Sequence, residues 1–388
     1  MSKKMKLFVP CYYAFFSNGM MALVLGSILT YLIKEANLNY SVAGGLLSAF
    51  AIGNLLASFV NPYIAGKIGR KKTTILLSAL IPIDLFIIAL VAPVPILYLA
   101  CILLGIGRGS VSIINNMVVN DYDGTPFALN LLHMVFAMGA FLAPFLTSVF
   151  VSGGFNWRYI IYTVIILSTI SVIGYCTIPL DENIIKKEKK EGIKENRFLK
   201  NPDFYFCGLL LFFYLGVENC VNGWFVTYFK EIGIMSDNYA TNLVSVTWIV
   251  IMLGRLTTGY LSKKLSKYKI MLVNCSFTVL FFIMLIATKD LTIISIAVVG
   301  LGFFFAGIYP TGIANAGEMI KGSTGGMSML LAMAALGGII TPQIVGIIAD
   351  GAVGLSGAIA FLSINVAMML FFAIIGFVRA KKNINIHT

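Results

Sequence analysis

Apolar runs long enough to cross a bilayer recur along this chain from Leu7 to Phe377, and they constrain its fold more than any other feature. Each run approaches the roughly 20 residues that a helix needs to span hydrocarbon. Twelve are expected: about 7–33, 41–65, 73–92, 96–119, 127–150, 157–179, 204–229, 239–262, 270–288, 291–317, 324–348 and 355–378. The runs are continuous and do not alternate, which fits helices and not the strands of a barrel. Charged residues make up only 11% of the 388 and mean hydropathy is +0.92, against roughly 25% charged in soluble domains. The sequence therefore implies an all-α, multi-pass integral membrane protein of the cell membrane. MSKKMK and the long run after it resemble a signal peptide, but the run is too long and lacks a small-x-small cleavage site, so it is taken as the first span.

The formal charge of +12 is explained by topology. Numbering the loops from a cytoplasmic N-terminus puts 22 of the 28 Lys and Arg on the cytoplasmic side, four opposite (Lys34, Arg158, Lys230, Lys289) and two, Arg108 and Arg255, inside spans. Basic loops stay in the cytoplasm, so both termini are expected there. Clustering in short loops without interleaved aromatics argues against a nucleic-acid partner. The six cysteines lie in or beside apolar spans without a CxxC pair, so neither zinc nor a disulfide framework is expected. No Walker A motif, dinucleotide loop or nucleophile elbow is present, and neither an enzyme nor a cofactor is expected.

One long polar stretch, DENIIKKEKKEGIKENRFLKN, interrupts the chain. It divides an N-terminal six-helix bundle (1–180) from a C-terminal one (203–388), with a charged cytoplasmic linker (181–202) between. The halves echo one another. Gly105 and Gly107 match Gly300 and Gly302, Gly139 and Pro144 match Gly337 and Pro342, and Lys67 matches Lys264, at offsets of 195, 198 and 197. A same-direction repeat of six spans fits two bundles that bind a solute between them near mid-membrane.

The loop AGKIGRKK (Ala65–Lys72) resembles, in degraded form, the basic signature after span 2 of the major facilitator superfamily. Gly69, Arg70 and Lys71 fit; Pro62 and Gly66 depart from it. LGVENCVNGWFVTYF, IMLGRLTTGYLSKKL and VGLGFFFAGIYPTGIA in spans 7, 8 and 10, with NLLHMVFAMGAFLAPFL in span 5, are similar to the fucose–proton symporter family, closest to its glucose/mannose branch. The resemblance implies the major facilitator fold and proton-coupled uptake of a hexose or related sugar by alternating access, with the protein working as a monomer in the lipid bilayer. It implies a gating role for Gly69, Arg70, Lys71 and Arg255. Members of that family often carry a coupling carboxylate in span 1 or span 4. Here span 1 offers Ser17 and Asn18, and span 4 offers Arg108, Ser112, Asn115 and Asn116.

Ionisable side chains at mid-span cost roughly 2.5–3.5 kcal/mol on insertion scales, and their presence marks function by default. Glu218 lies about 21 Å into span 7, with Asn222 one turn on, Asn219 beside it and Trp224 beyond. That stretch is expected to wall a polar cavity, the amides and carboxyl meeting solute hydroxyls and the indole stacking on a sugar face. Glu218 is also the candidate proton carrier. Asn18 and Asn115 are candidate cavity donors. Asp84 in span 3 and Arg108 in span 4 lie at similar depth, so a structural ion pair is expected between them, with Asp84 a second candidate for proton coupling. Alternatives to the symporter are an uncoupled sugar facilitator, a drug or metabolite exporter of the same fold, and a sugar sensor that binds without transport.

Overall fold

The computed structural model describes every residue except 1–2, 123–125, 179–196, 318, 321–323 and 388. Most of the expected linker, and Lys321 among the basic positions, lie outside the described residues. The described chain is helical: α1 (Lys3–Ala36), α2 (Tyr40–Ile68), α3 (Arg70–Ser78), α4 (Leu80–Ala89), α5 (Val94–Tyr122), α6 (Pro126–Ser152), α7 (Arg158–Thr177), α8 (Pro202–Glu231), α9 (Asp237–Leu261), α10 (Lys267–Ala287), α11 (Leu291–Phe305), α12 (Ile308–Gly317), α13 (Thr324–Ala349) and α14 (Gly354–His387). Among the described residues twelve segments are long and apolar enough to cross a membrane. Two of them are broken helices, span 3 as α3–α4 and span 10 as α11–α12.

Helix ends follow local chemistry. Asn39, Asn201, Ser266 and Asp290 each cap a helix by accepting a backbone N–H, satisfying donors that a first turn leaves unpaired. Gly69 alone separates α2 from α3. Its φ of 85° suits glycine and strains other residues, and its N–H closes α2 on the Ala65 carbonyl at 3.0 Å. Arg70 beside it is buried. The loop-signature residues thus form a one-residue corner.

The chain divides into two compact units, Met1–Gly192 with Asp237–Ser245, and Ile193–Ser236 with Val246–Thr388. Inside each, helices meet through glycine. A Cβ on Gly139 in α6 would fall on the Phe16 carbonyl oxygen of α1, and one on Gly337 in α13 on the Phe212 carbonyl oxygen of α8. A Cβ on Gly53 in α2 would strike the Ile102 carbonyl of α5, and one on Gly254 in α9 the Phe303 carbonyl of α11. Of the glycines matched in the sequence, Gly139 and Gly337 thus make equivalent helix contacts, whereas Gly105 meets Phe50 of α2 and Gly300 meets the Phe281 ring of α10. The repeat extends to the loops, where Lys67 lies 4.3 Å from the Tyr63 ring centre and Lys264 lies 5.0 Å from that of Tyr260.

At the opposite end of the first unit a carboxylate the sequence reading passed over joins three helices. Arg158 donates to both oxygens of Glu35 at 2.5 and 3.1 Å, Trp157 Nε1 donates to Glu35 at 3.0 Å, and Arg158 Nε reaches the Ala89 carbonyl at 2.6 Å. A forked pair of this kind is both directional and strong.

Close approach through glycine leaves no room for a methyl group. Gly337→Ala and Gly139→Ala should each cost about 1–3 kcal/mol, the usual penalty of overpacking, whereas Gly66→Ala, which meets nothing within 4 Å, should be neutral. Thermal melting of the purified variants in detergent distinguishes them.

Candidate functional site

Helix α8 runs through the second unit with two chemically different faces. The first packs on α13. Pro342 inside α13 has no N–H, so the Gly338 carbonyl four residues earlier loses its helical donor. Asn219 replaces that donor, giving Nδ2 to the Gly338 oxygen at 2.9 Å. Trp224 Nε1 donates to the Pro342 carbonyl at 3.3 Å, and the indole is fully buried. Gly216 on the same helix lies against Thr341 and Asn365, which hydrogen-bond to each other at 3.4 Å. Asn219 and Trp224, expected in a binding wall, are thus spent on holding a proline-containing helix.

The second face carries Glu218. Tyr214, one turn before it, donates its hydroxyl to Glu218 Oε1 at 2.9 Å. The Tyr214 ring lies 5.4 Å from Phe305 and 6.2 Å from Tyr309. Asn222 follows one turn after Glu218 and is half-buried. The break in span 10 helps build this face. Helix α11 ends at Phe305, and α12 restarts at Ile308, just before Tyr309. At the break a Cβ on Gly307 would collide with Asn274 Nδ2 and the Thr258 side chain, so glycine lets α9 and α10 close around it. The resulting set, Glu218, Tyr214 and Tyr309, joins one carboxyl and two phenols inside hydrocarbon-length helices.

The remaining expected residues lie elsewhere. Asn115 is buried and exchanges hydrogen bonds with Tyr175, Nδ2 to the hydroxyl at 2.8 Å and the hydroxyl back to Oδ1 at 3.1 Å. Asn18 is buried among α1, α3, α5 and α7. The expected Asp84–Arg108 pair does not form. Arg108 Nη1 donates to Asn54 at 2.9 Å, and its guanidinium lies 5.9 and 5.8 Å from the rings of Phe50 and Phe136. Asp84 is 1% exposed, and its Oδ2 has no hydrogen-bond partner among the described residues. Gly107, beside Arg108, lies against Leu77 and Ile81 of span 3, and Arg108 itself turns to α2 and α6.

Residues 11–342 match the model of the Major Facilitator Superfamily. The chain belongs to that superfamily. The glucose/mannose transporter of Bacillus subtilis is 23% identical over 357 residues, with 86% of each chain covered. The hexuronate transporter of the same organism is 25% identical over 398 residues, covering 90% of this chain and 88% of its own. Among solved structures, a nucleoside transporter superposes with a TM-score of 0.78 at 14% identity, over 97% of this chain and 100% of its own. A D-xylose–proton symporter superposes with 0.77 at 14%, over 97% and 98%. The superfamily resemblance read from the basic loop thus holds, and with it the reading as a multi-pass membrane transporter and not an enzyme.

Two substitution series test the assigned contacts. Asn219→Ala should lower stability by about 1–3 kcal/mol, the usual cost of a buried unpaired polar group. Adding Pro342→Ala should restore most of it, because the new N–H re-forms the bond to Gly338. Asp84→Asn and Arg108→Gln, sharing no contact, should be additive within about 0.5 kcal/mol when their melting curves are compared with that of the double variant.

Proposed function

We propose that this transporter moves a hexose or related sugar into the cell by alternating access, coupled to protons, with both termini in the cytoplasm. The observation that carries the reading is Glu218: a carboxyl held by the Tyr214 hydroxyl in the middle of an apolar helix, with the Tyr309 ring against that of Tyr214. A side chain costly to insert is kept where it meets a solute or a proton. Phenols, a carboxyl and the Asn222 amide offer the donors and acceptors that sugar hydroxyls require, and the tyrosine rings offer apolar faces. The names of the relatives support the substrate class, a glucose/mannose transporter and a hexuronate transporter by sequence and a D-xylose–proton symporter by fold. The excess of Lys and Arg in alternate loops supports the orientation.

In this reading Glu218 binds both solute and proton, Tyr214 positions its carboxyl, and Asn222 and Tyr309 contact the sugar. Arg255 and the corner at Gly69, Arg70 and Lys71 belong to gating, and Asp84 remains a secondary proton site. One observation favours an uncoupled facilitator instead: the apolar stretches of spans 1 and 4 contain no carboxylate, since Glu35 stands at the end of α1 and is engaged by Arg158.

Labelled glucose, mannose, galactose and fucose offered to proteoliposomes under an inward proton gradient test the two readings. Accumulation of one sugar, abolished by a protonophore and by Glu218→Gln, is expected. Tyr214→Phe should reduce the rate without ending accumulation. Flux that equilibrates regardless of the gradient would make the protein a facilitator, and no flux of any of the four would withdraw the substrate class.

A further inference from the structure

The first unit contains a small polar cavity walled by α1, α3, α4, α5 and α7. Its polar wall is Asn18 with the hydroxyls of Ser17, Ser78, Ser168 and Ser171, all buried. The room open to the centre of a water-sized sphere is about 10 Å³, which is roughly what a single water requires and far too little for a sugar.

The hydrogen-bond inventory of this wall is unbalanced. Asn18 is 2% exposed, and neither Oδ1 nor Nδ2 has a partner among the described residues. Ser78 Oγ donates to the Ile75 carbonyl at 3.2 Å, Ser168 Oγ to that of Ile165 at 3.0 Å, and Ser171 Oγ to that of Leu167 at 3.0 Å. Each of these hydroxyls has spent its only proton on its own helix and retains acceptor lone pairs. The wall therefore requires a guest that accepts from the Asn18 amide and donates to oxygens around it. Water does both. A monovalent cation would use the lone pairs but leave Asn18 Nδ2 unpaired, and no charged side chain lines the cavity to offset its dehydration. Asp84 lies one turn past Ile81 on α4 and is not part of the wall.

We propose that this cavity is a binding site for one structural water, which bridges Asn18 of span 1 to the serines of spans 3 and 6. The water accepts from Asn18 Nδ2, which no side chain reaches, and gives its two protons to oxygens of the wall. It also gives Asn18 a role other than that of a solute donor: it holds the guest that keys three helices together.

Two neighbouring methionines allow a direct test. Met21 lines the cavity and Met20 does not, although both are 1% exposed. Radiolytic hydroxyl-radical labelling of the full-length protein, read by mass spectrometry, detects bound water beside a buried side chain. Met21 should be oxidised several-fold faster than Met20. After rapid dilution into H₂¹⁸O it should still take up ¹⁶O from slowly exchanging water. In Asn18→Leu the Met21 rate should fall to that of Met20. Ser171→Ala, the milder change, should lower it part-way and serves as the test if Asn18→Leu does not fold. Equal, slow oxidation of both methionines in the unmodified protein would show a dry cavity and overturn the proposal, as would an unchanged Met21 rate in Ser171→Ala. A melting temperature that rises with NaCl or KCl relative to choline chloride at equal ionic strength, and ceases to do so in Asn18→Leu, would assign the cavity to a cation and likewise overturn it.

Discussion

Hydrocarbon offers a backbone no hydrogen bonds and gives two helices no hydrophobic reason to associate. The rest of this structure follows from those two constraints. The first makes every span a helix that closes its own ladder. The second leaves helix association to close contact and to polar groups. Glycine supplies the close contact, at Gly139 against Phe16 and Gly53 against Ile102 in one unit, and at Gly337 against Phe212 and Gly254 against Phe303 in the other. The contacts recur at almost one sequence offset because each unit solves the same packing problem with the same pair of helix faces. Large side chains at those positions would hold the backbones apart and lose dispersion contacts along the whole interface.

Polar side chains within the spans fall into two groups under the same constraints. Some repair the backbone or pair with one another. Asn219 supplies the donor that Pro342 removes, Trp224 ties to the next carbonyl, Asn115 and Tyr175 satisfy each other, and Asn54 holds Arg108. Others are arranged around an ionisable group, as Tyr214 and Tyr309 are around Glu218. Burying an amide or indole costs hydrogen bonds that these contacts return, whereas burying a charge costs more. Arg108 is engaged by Asn54, and Glu218, bound by a phenol, is the group that supports the transport role.

The twelve spans were legible because apolar length is a one-dimensional signal, and the repeat because glycine at a close contact tolerates no substitute. Glu218 was legible because a carboxylate is conspicuous in an apolar run. Its neighbours were harder to see. Tyrosine is ordinary in a membrane helix, so Tyr214 drew no attention although it stands four residues before Glu218, and Tyr309 is brought near only by the break at Ala306–Gly307. Angle separates Trp224 from Glu218: at about 100° per residue it lies some 120° around α8 from Glu218, whereas Asn222 lies about 40° away. Asp84 and Arg108 were harder to relate, because counting residues from a membrane face does not say which neighbouring helix a side chain meets, and Arg108 meets α2 and α6. No one-helix argument shows a contact that depends on how two helices are set against each other.

The two units therefore handle burial of polarity differently. In the first, the fork at Glu35 and Arg158 stands at a helix end where water can share the work, and the interior polar wall around Asn18 is neutral. In the second, Glu218 on α8 is bound by a phenol of its own helix, whereas the charged residues inside the first, Asp84 and Arg108, do not pair with each other. A neutral wall completed by a neutral guest responds little to the state of charge around it. A carboxyl bound by a phenol does respond, because gain or loss of a proton changes what the carboxyl offers both to that phenol and to a solute hydroxyl. If transport is coupled to protons, Glu218 supplies responsive chemistry in the second unit, and Asp84, buried in span 3, is the candidate for it in the first. The absence of a carboxylate from the apolar stretches of spans 1 and 4 is then the counterpart of Glu218 and not a defect in the pattern.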